Sequence, residues 1–419
     1  MTERWPLIEV IEVCETVVDC VNKTAPLAEE ATPYKMLRTT NVRDGYVDTA
    51  NCRFVSRDVY EKWTRRQVPR RGDVILTREA PLGEVGMLRD DETVFLGQRL
   101  MSYRADPSKL DANFLLYSLM GPELQAQIRA TGSGATVEHM RVPDAERLKI
   151  RLPDLSTQQR IGTILASYDA FILNNQRRIA ILEDMARRLF DEWFVRFRYP
   201  GSEAVPLVET DVGMVPEGWA VIRAEEMIDF DPRTKVPKEG IKRFVPMGSL
   251  DTVSSVISNW ETRSGNSGSK FHNGDTLFAR ITPCLENGKT GLVNFLEAGE
   301  TAFGSTEFTV MRGKGVSSSF VYLLARSEAF RAIAIKSMGG ADGRQRVRTE
   351  ALKGYEFARP TAGLLTNFAS IAEPMFEQVR VLANQNSRLR AARDLLLPKL
   401  ISGEIDVSAV EETFAEAAE

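Results

Sequence analysis

At 419 residues, with 43% hydrophobic and 27% charged residues, the chain is long enough for two or more domains with their own cores, and its composition is that of an ordinary globular protein. A formal net charge of −4 argues against holding nucleic acid by bulk charge alone, while leaving room for local basic patches. No apolar run approaches a membrane span and MTERWPLIEV has no signal-peptide pattern, so a cytoplasmic location is expected.

Residues 1–152 read as a first globular unit. VILT (74–77) and TVFL (93–96) are strand-like, and 110–130 reads as a helical hairpin broken at Gly121-Pro122. A polar Gly loop, TGSGAT (131–136), and a strand-like LKIRLP (148–153) close the unit.

A helical spacer over 153–197 comes next. From Ser156 to Trp193 no Pro interrupts, and Ser156 or Thr157 can cap the first turn. Its seam alternates steps of four and three: Ile161, Leu165, Tyr168, Ile172, Asn175, Ile179, Leu182, Ala186, Leu189, Trp193. That alternation is a coiled-coil seam, and such a helix is roughly 57 Å long at ~1.5 Å per residue. Ordinary bundle packing is the plainer alternative.

Residues 198–359 form a second globular unit, opening with a Pro-, Gly- and acid-rich stretch (197–219) that reads as a linker or entry segment. This unit repeats the first. RGDVILTR (71–78) recurs as NGDTLFAR (273–280), and GQRL (97–100) falls where GSTEF (304–308) lies. FLLYSLMGPELQAQI (114–128) matches FVYLLARSEAFRAIA (320–334), and TGSGATVEHMRV (131–142) matches MGGADGRQRVRT (338–349). LEDMARRLF (182–190) matches LRAARDLLL (389–397). Five matches in one order at a near-constant offset indicate a tandem duplication.

A second helical spacer spans 360–405, followed by a tail over 406–419. Its seam is Phe368, Ala372, Met375, Val379, Leu382, Asn386, Leu389 and Leu396; Arg393 interrupts it, and Pro374 predicts a late start or a kink. Asn175 and Asn386 can fix register on their seams. The order globular, helix, globular, helix requires the helices to run antiparallel. It predicts two globular units at opposite ends of a rod, related by a pseudo-twofold axis.

Several runs resemble the specificity (S) subunits of type I restriction–modification systems. They are LPDLSTQQRIGTILASYDAFILNNQ (152–176), LEDMARRLFDEWFVRF (182–197), the closing LRAARDLLLPKLISGEI (389–405), PEGW (216–219), VPMGSLDT (245–252) and the repeated Gly-Asp strand. The resemblance covers nearly the whole chain. It implies an α/β protein with two pseudo-repeated target recognition domains separated by two long antiparallel coiled-coil helices. It further implies a non-catalytic reader of a split, asymmetric DNA sequence, one domain per half-site. The helices would set the gap and dock two methyltransferase (M) subunits, which a restriction (R) subunit can join. No cofactor is then expected on this chain: S-adenosylmethionine belongs to M, and ATP and magnesium to R.

Residues that could touch DNA cluster locally. Arg53, Arg57, Lys62, Arg65, Arg66, Arg70, Arg71 and Arg78 face only Asp58, Glu61 and Asp73 in that stretch. Arg344, Gln345, Arg346 and Arg348 follow the second Gly-rich loop. Arg and Lys neutralise phosphates, and Arg and Gln fork onto base edges. Arg78 and Arg280 are equivalent by duplication, and are either DNA contacts or structural ion-pair partners. Thr131, Ser133 and Thr136 belong to a loop of small residues that permits close approach to phosphate, or is a plain turn. Lys35, Arg38, Thr40 and Asn41 are weaker candidates. The candidate packing residues are Ile161, Leu165, Ile172, Asn175, Ile179, Leu182 and Leu189 on the first helix, with Val379, Leu382, Asn386 and Leu389 on the second.

Competing chemistries lack their motifs. There is no [ND]-P-P-[YF] tetrapeptide, no G-x-G-x-x-G after a strand and no Walker A. Pro143-Asp144 with Glu146 and Lys149 lacks nuclease spacing, and His139 and His272 lie in different units without a nucleophile. Cys14, Cys20, Cys52 and Cys284 are scattered, so neither zinc nor a disulfide framework is expected. The remaining alternative is a two-headed coiled-coil scaffold that binds proteins rather than DNA.

Overall fold

The run Val-Ile-Leu-Thr is apolar on both faces, and in the computed structural model it becomes the inner strand of a sheet covered on both sides. The structure describes residues 5–132, 138–340 and 345–407. Contacts divide the chain into two units, Met1–Phe171 with Leu389–Glu419, and Ile172–Arg388. Both are sheet-rich and mixed α/β.

The first unit has six strands in one sheet: β1 (Cys14–Asp19), β2 (Val42–Arg43), β3 (Gly45–Val47), β4 (Val74–Arg78), β5 (Leu82–Met87) and β6 (Leu100–Ala105). Their order is β1-β6-β4-β5-β3-β2. Side chains alternate across β4 with the period of a strand. Val74 and Leu76 face a helical layer with Phe114 and Leu116, while Ile75 joins a second core with Leu37 and Val94. Leu37 and Val94 belong to a three-stranded sheet in which Lys35–Leu37 and Val94–Leu96 pair in parallel.

The helical layer is the predicted hairpin, α1 (Ala112–Met120) and α2 (Pro122–Thr131). Asp111 caps α1 by accepting from Phe114 N–H at 2.9 Å, and Pro122 starts α2 where no N–H is needed. Gly121 between them packs closely: a Cβ there would lie 2.0 Å from Ile401 Cδ1, so that side-chain tip would have to turn aside.

The long helix α3 (Leu155–Phe190) continues into a π-helical turn over Asp191–Val195. Its cap is Asp154 rather than Ser156 or Thr157. Asp154 Oδ1 accepts from Thr157 N–H at 3.0 Å, and both hydroxyls donate to the same carboxylate. These donors lower the Asp154 pKa to about 2, which a neutral hydroxyl cap could not match for charge at a helix N-terminus.

In the second unit, β7 (Ile228–Phe230), β8 (Thr276–Ala279), β9 (Thr290–Leu292) and β10 (Phe308–Gly313) pair antiparallel in the order β7-β10-β8-β9. Phe278 of β8 faces α4 (Ser318–Arg326) and α5 (Glu328–Lys336), and Leu277 faces a second core with Phe271 and Val310. Residues 197–219 are not a linker. They form a hairpin, Leu207–Thr210 with Gly213–Pro216, turned by Gly213 at φ +100°. Val215 and Trp219 enter the core, and Trp219 stacks on Tyr199 at 5.5 Å. The aromatic residues at its ends outweigh its Pro- and Gly-rich composition.

The second long helix, α6 (Ala362–Ile401), passes through Pro374 and starts well before it. Proline removes one N–H bond, but buried Phe368, Ala372 and Phe376 fasten the turns on either side to the second unit's core.

Within each unit, rising numbers on α3 meet falling numbers on α6, so the paired segments are antiparallel. In the first unit Ile161 and Leu165 share a core with Leu397 and Leu400. Arg393, which interrupts the seam, reaches Asp169 at 2.6 Å, with the two side chains 10% and 13% exposed. Tyr117 of α1 donates to the same carboxylate at 2.6 Å. In the second unit Ile179, Val379 and Leu382 are buried together with Leu182 packed beside them. Asn175 and Asn386 are buried and bonded to each other at 3.1 Å. Ile172 is buried, and Leu189 and Leu389 are half-buried.

Candidate nucleic-acid interface

The repeated Gly-Asp strand builds the same anchor in both units. Gly72 and Gly274 each sit at φ +91°, a left-handed conformation that favours glycine. Each places a buried carboxylate next: Asp73 takes two 2.7 Å bonds from Arg104, and Asp275 takes two 2.7 Å bonds from Arg312. The carboxylates also accept backbone N–H bonds, from Arg70 and His272 respectively, at 2.9 Å. Forked pairs with additional donors are the form in which buried charge is tolerated.

The anchor fixes the other end of the strand. Arg78 N–H donates to the Arg99 carbonyl at 2.8 Å, and Met140 N–H donates to the Arg78 carbonyl at 2.9 Å. Arg280 N–H donates to the Glu307 carbonyl at 3.0 Å, and Val347 N–H to the Arg280 carbonyl at 2.9 Å. Three segments therefore meet at one junction in each unit: the strand end, the turn before the next strand, and the residues just after the Gly-rich loop. Isolated bridges complete it, Glu79 with His139 and Ile281 with Arg346.

Arg78 and Arg280 are half-buried at these junctions. Arg78 Nη1 donates to the Met140 carbonyl at 3.0 Å, and Arg280 Nε lies 3.6 Å from Glu307 Oε2. Arg346 is exposed and forks onto Glu307, with Nη2–Oε1 at 2.6 Å. Its guanidinium holds the Glu307 carboxyl below its ordinary pKa. Gln345 contributes its carbonyl to Thr282 N–H at 3.2 Å, and Arg348 is exposed at the next helix start. The junction of the second unit thus gathers Arg280, Gln345 and Arg346.

Arg65, Arg66 and Arg70 are exposed on a neighbouring stretch of the first unit. Arg66 is paired with Asp19, and Arg70 with Glu15 at 3.1 Å. Asp19 lines a cleft of about 400 Å³ with Arg78, so the Arg66 pair borders the junction. Thr131 ends α2 and donates to the Ile128 carbonyl at 2.9 Å. Ser133, Thr136 and Arg344 lie outside the described residues. The cleft also brings in Asn22, Gln98, Arg99 and His139, which sequence reasoning passed over. The signal was the GQRL/GSTEF match, whose polar residues turn out to face the strand-end arginine.

Residues 3–183 match the family model described as the type I restriction modification DNA specificity domain. The type I restriction enzyme MjaIX specificity subunit of Methanocaldococcus jannaschii is 23% identical over 80% of this chain and 78% of its own length. The chain is thus similar to type I restriction–modification specificity subunits. The MjaVIII specificity subunit of the same organism is 21% identical over 71% of each chain. The fold agrees: the crystal structure of the type I restriction–modification S subunit from M. genitalium matches 95% of this chain and 96% of its own, with 14% identity and a TM-score of 0.56. Its long helix α3 suits a coiled-coil linker between sheet-rich units. Among the described residues, no helix is long and apolar enough to cross a membrane.

Proposed function

We propose that this chain is a type I restriction–modification specificity subunit and reads a bipartite, asymmetric DNA target, each sheet-rich unit contacting one half-site. The observation that carries the reading is the doubled junction: Arg78 and Arg280 stand at equivalent strand ends, each beside the segment that follows a Gly-rich loop. Arginines on rigid strand ends can reach phosphates or base edges at a fixed register. Two readers suit half-sites spaced by about one DNA turn, ~34–36 Å, or somewhat more.

The long helices serve as the spacer and as the seat for two methyltransferase subunits, with restriction subunits joining the complex. Support comes from apolar side chains that these helices leave exposed, Phe171, Ile181 and Met185 on α3 and Leu395 on α6. The subunit itself is read as non-catalytic and cytoplasmic. S-adenosylmethionine would sit on the methyltransferase, and ATP with magnesium on the restriction subunit.

Modification sequencing of host DNA with and without this gene tests the reading. Loss of one split methylated motif on deletion is the expected result. An unchanged methylome, with the methyltransferase expressed and active, would sink it. Retention of two methyltransferase copies without DNA would then favour a protein-binding scaffold.

A further inference from the structure

The two junctions share a backbone plan but distribute their charges differently. Arg99 and Glu307 occupy the same place, since the carbonyl of each accepts the N–H of the strand-end arginine. The facing bridge is Glu79 with His139 in the first unit and Ile281 with Arg346 in the second. An arginine–carboxylate pair exists in both, carried by different segments. In the first unit Arg99 from the turn lies on Glu79 from the strand end, Nη2–Oε1 3.4 Å. In the second, Arg346 from the loop lies on Glu307 from the turn, Nη2–Oε1 2.6 Å.

In each pair the arginine stays open and the carboxylate is more covered. Arg99 and Arg346 side chains are 50% and 44% exposed, against 29% for Glu79 and 20% for Glu307. A carboxylate that takes one edge of a guanidinium orients it and leaves other donors outward. Arg99 is also held at φ 72°, which a non-glycine residue adopts only when its surroundings impose it. The equivalent turn in the second unit is one residue longer, and Glu307 is free of that constraint. Beside Arg99 the cleft offers Asn22, Gln98 and His139, further groups of the kind that meet base edges.

We propose that Arg99 and Arg346 each read a guanine, one in each half-site, by forking onto O6 and N7 in the major groove, and that Glu79 and Glu307 are their positioning residues. This rests on the DNA-reading function proposed above and goes beyond it in naming the base and the reader in each unit. A phosphate accepts lysine nearly as well as arginine, whereas the planar fork matches guanine O6 and N7 better than a lysine ammonium does.

The test uses the chain assembled with its methyltransferase subunits, selecting from duplex DNA randomised at both half-sites. A wild-type complex that enriches no split sequence would overturn the functional reading itself. Given wild-type selection, Arg99→Ala and Arg99→Lys should each reduce preference for one guanine in one half-site by about 10-fold, leaving the other half-site unchanged. Arg346→Ala and Arg346→Lys should do the reciprocal. Glu79→Gln and Glu307→Gln should weaken the same preferences more mildly, with the salt dependence of binding unchanged. Retained guanine preference in the lysine variants, loss of a base other than guanine, or equal weakening of both half-sites overturns the proposal.

Discussion

Asn175 Nδ2 donates to Asn386 Oδ1 at 3.1 Å, joining the two long helices through a pair of buried amides. Asn386 Nδ2 in turn donates to the Ile172 carbonyl at 3.3 Å. The apolar layer next to them, Ile179 with Val379 and Leu382, has no such directionality. The amide pair therefore specifies which residues face each other, and the apolar layer supplies the driving force.

Replacing one amide should cost more than replacing both. Asn386→Leu leaves the buried Asn175 amide with only a long 3.5 Å bond to Gln385 Oε1 and should destabilise by about 1–3 kcal/mol. The double variant Asn175→Leu/Asn386→Leu should fall within about 1 kcal/mol of wild type, because nothing polar is left unpaired. Chemical denaturation of the four-member cycle measures this. Additive losses would show that the two amides do not act as a unit.

Arg393→Met removes one member of a covered ion pair and leaves Asp169 with the Tyr117 hydroxyl and, at 3.8 Å, Arg89. A loss of about 3 kcal/mol is expected. Adding Asp169→Leu should recover part of it, since the carboxylate that lost its nearest counter-charge is gone. Thermal melts of the single and double variants decide the point, and no recovery would refute the desolvation account.

Glu183 predicts a pH dependence with a definite sign. It accepts from Ser255 N–H at 2.7 Å and from the Ser254 hydroxyl at 3.0 Å, and Arg326 adds a favourable charge. Burial outweighs these and raises its pKa above the ordinary 4.5. A carboxyl with a raised folded-state pKa stabilises the fold below the unfolded value, and that contribution is lost as pH rises through the folded value. Glu183→Gln should therefore gain in melting temperature relative to wild type on going from pH 4 to pH 7. An equal difference at both pH values would count against burial as the dominant cause.

Gly121→Ala should be destabilising by about 1 kcal/mol, the cost of turning the Ile401 Cδ1 tip aside from the new methyl. Ile401→Val removes that atom, and in its background the same substitution should cost about 0.5 kcal/mol or less. Denaturation of both pairs checks the coupling. A full-sized loss in the valine background would point to the backbone at Gly121 instead.

Periodicity and duplication made much of the architecture legible. The seam of α3, the α1–α2 hairpin and the paired Gly-Asp strands depend on local spacing, which a sequence displays directly. Pairings set by tertiary geometry were not visible. Asp73 with Arg104 and Asp275 with Arg312 are separated by 31 and 37 residues, and only the shared repeat position of the two arginines hints at them. Parallel pairing of Lys35–Leu37 with Val94–Leu96 leaves no mark on composition either. The Pro- and Gly-rich stretch 197–219 misled because composition describes its turns and omits the aromatic residues that bury its ends. At the candidate interface the strand-end arginines were found by duplication. Arg99 and Glu307 leave no such mark, because their matched positions carry opposite charges and the likeness that reveals a repeat is absent there.

The Gly-Asp anchor lies within the sheet, and the side chains at the junction project beyond it. A substitution at Arg99, Gln98, Arg346 or Glu307 touches neither Asp73–Arg104 nor Asp275–Arg312. Such a chain could acquire a new preference at one position while its folding equilibrium stays almost where it was. The side chains that would set a preference at the junction are thus other than the charge pairs that hold the sheet together.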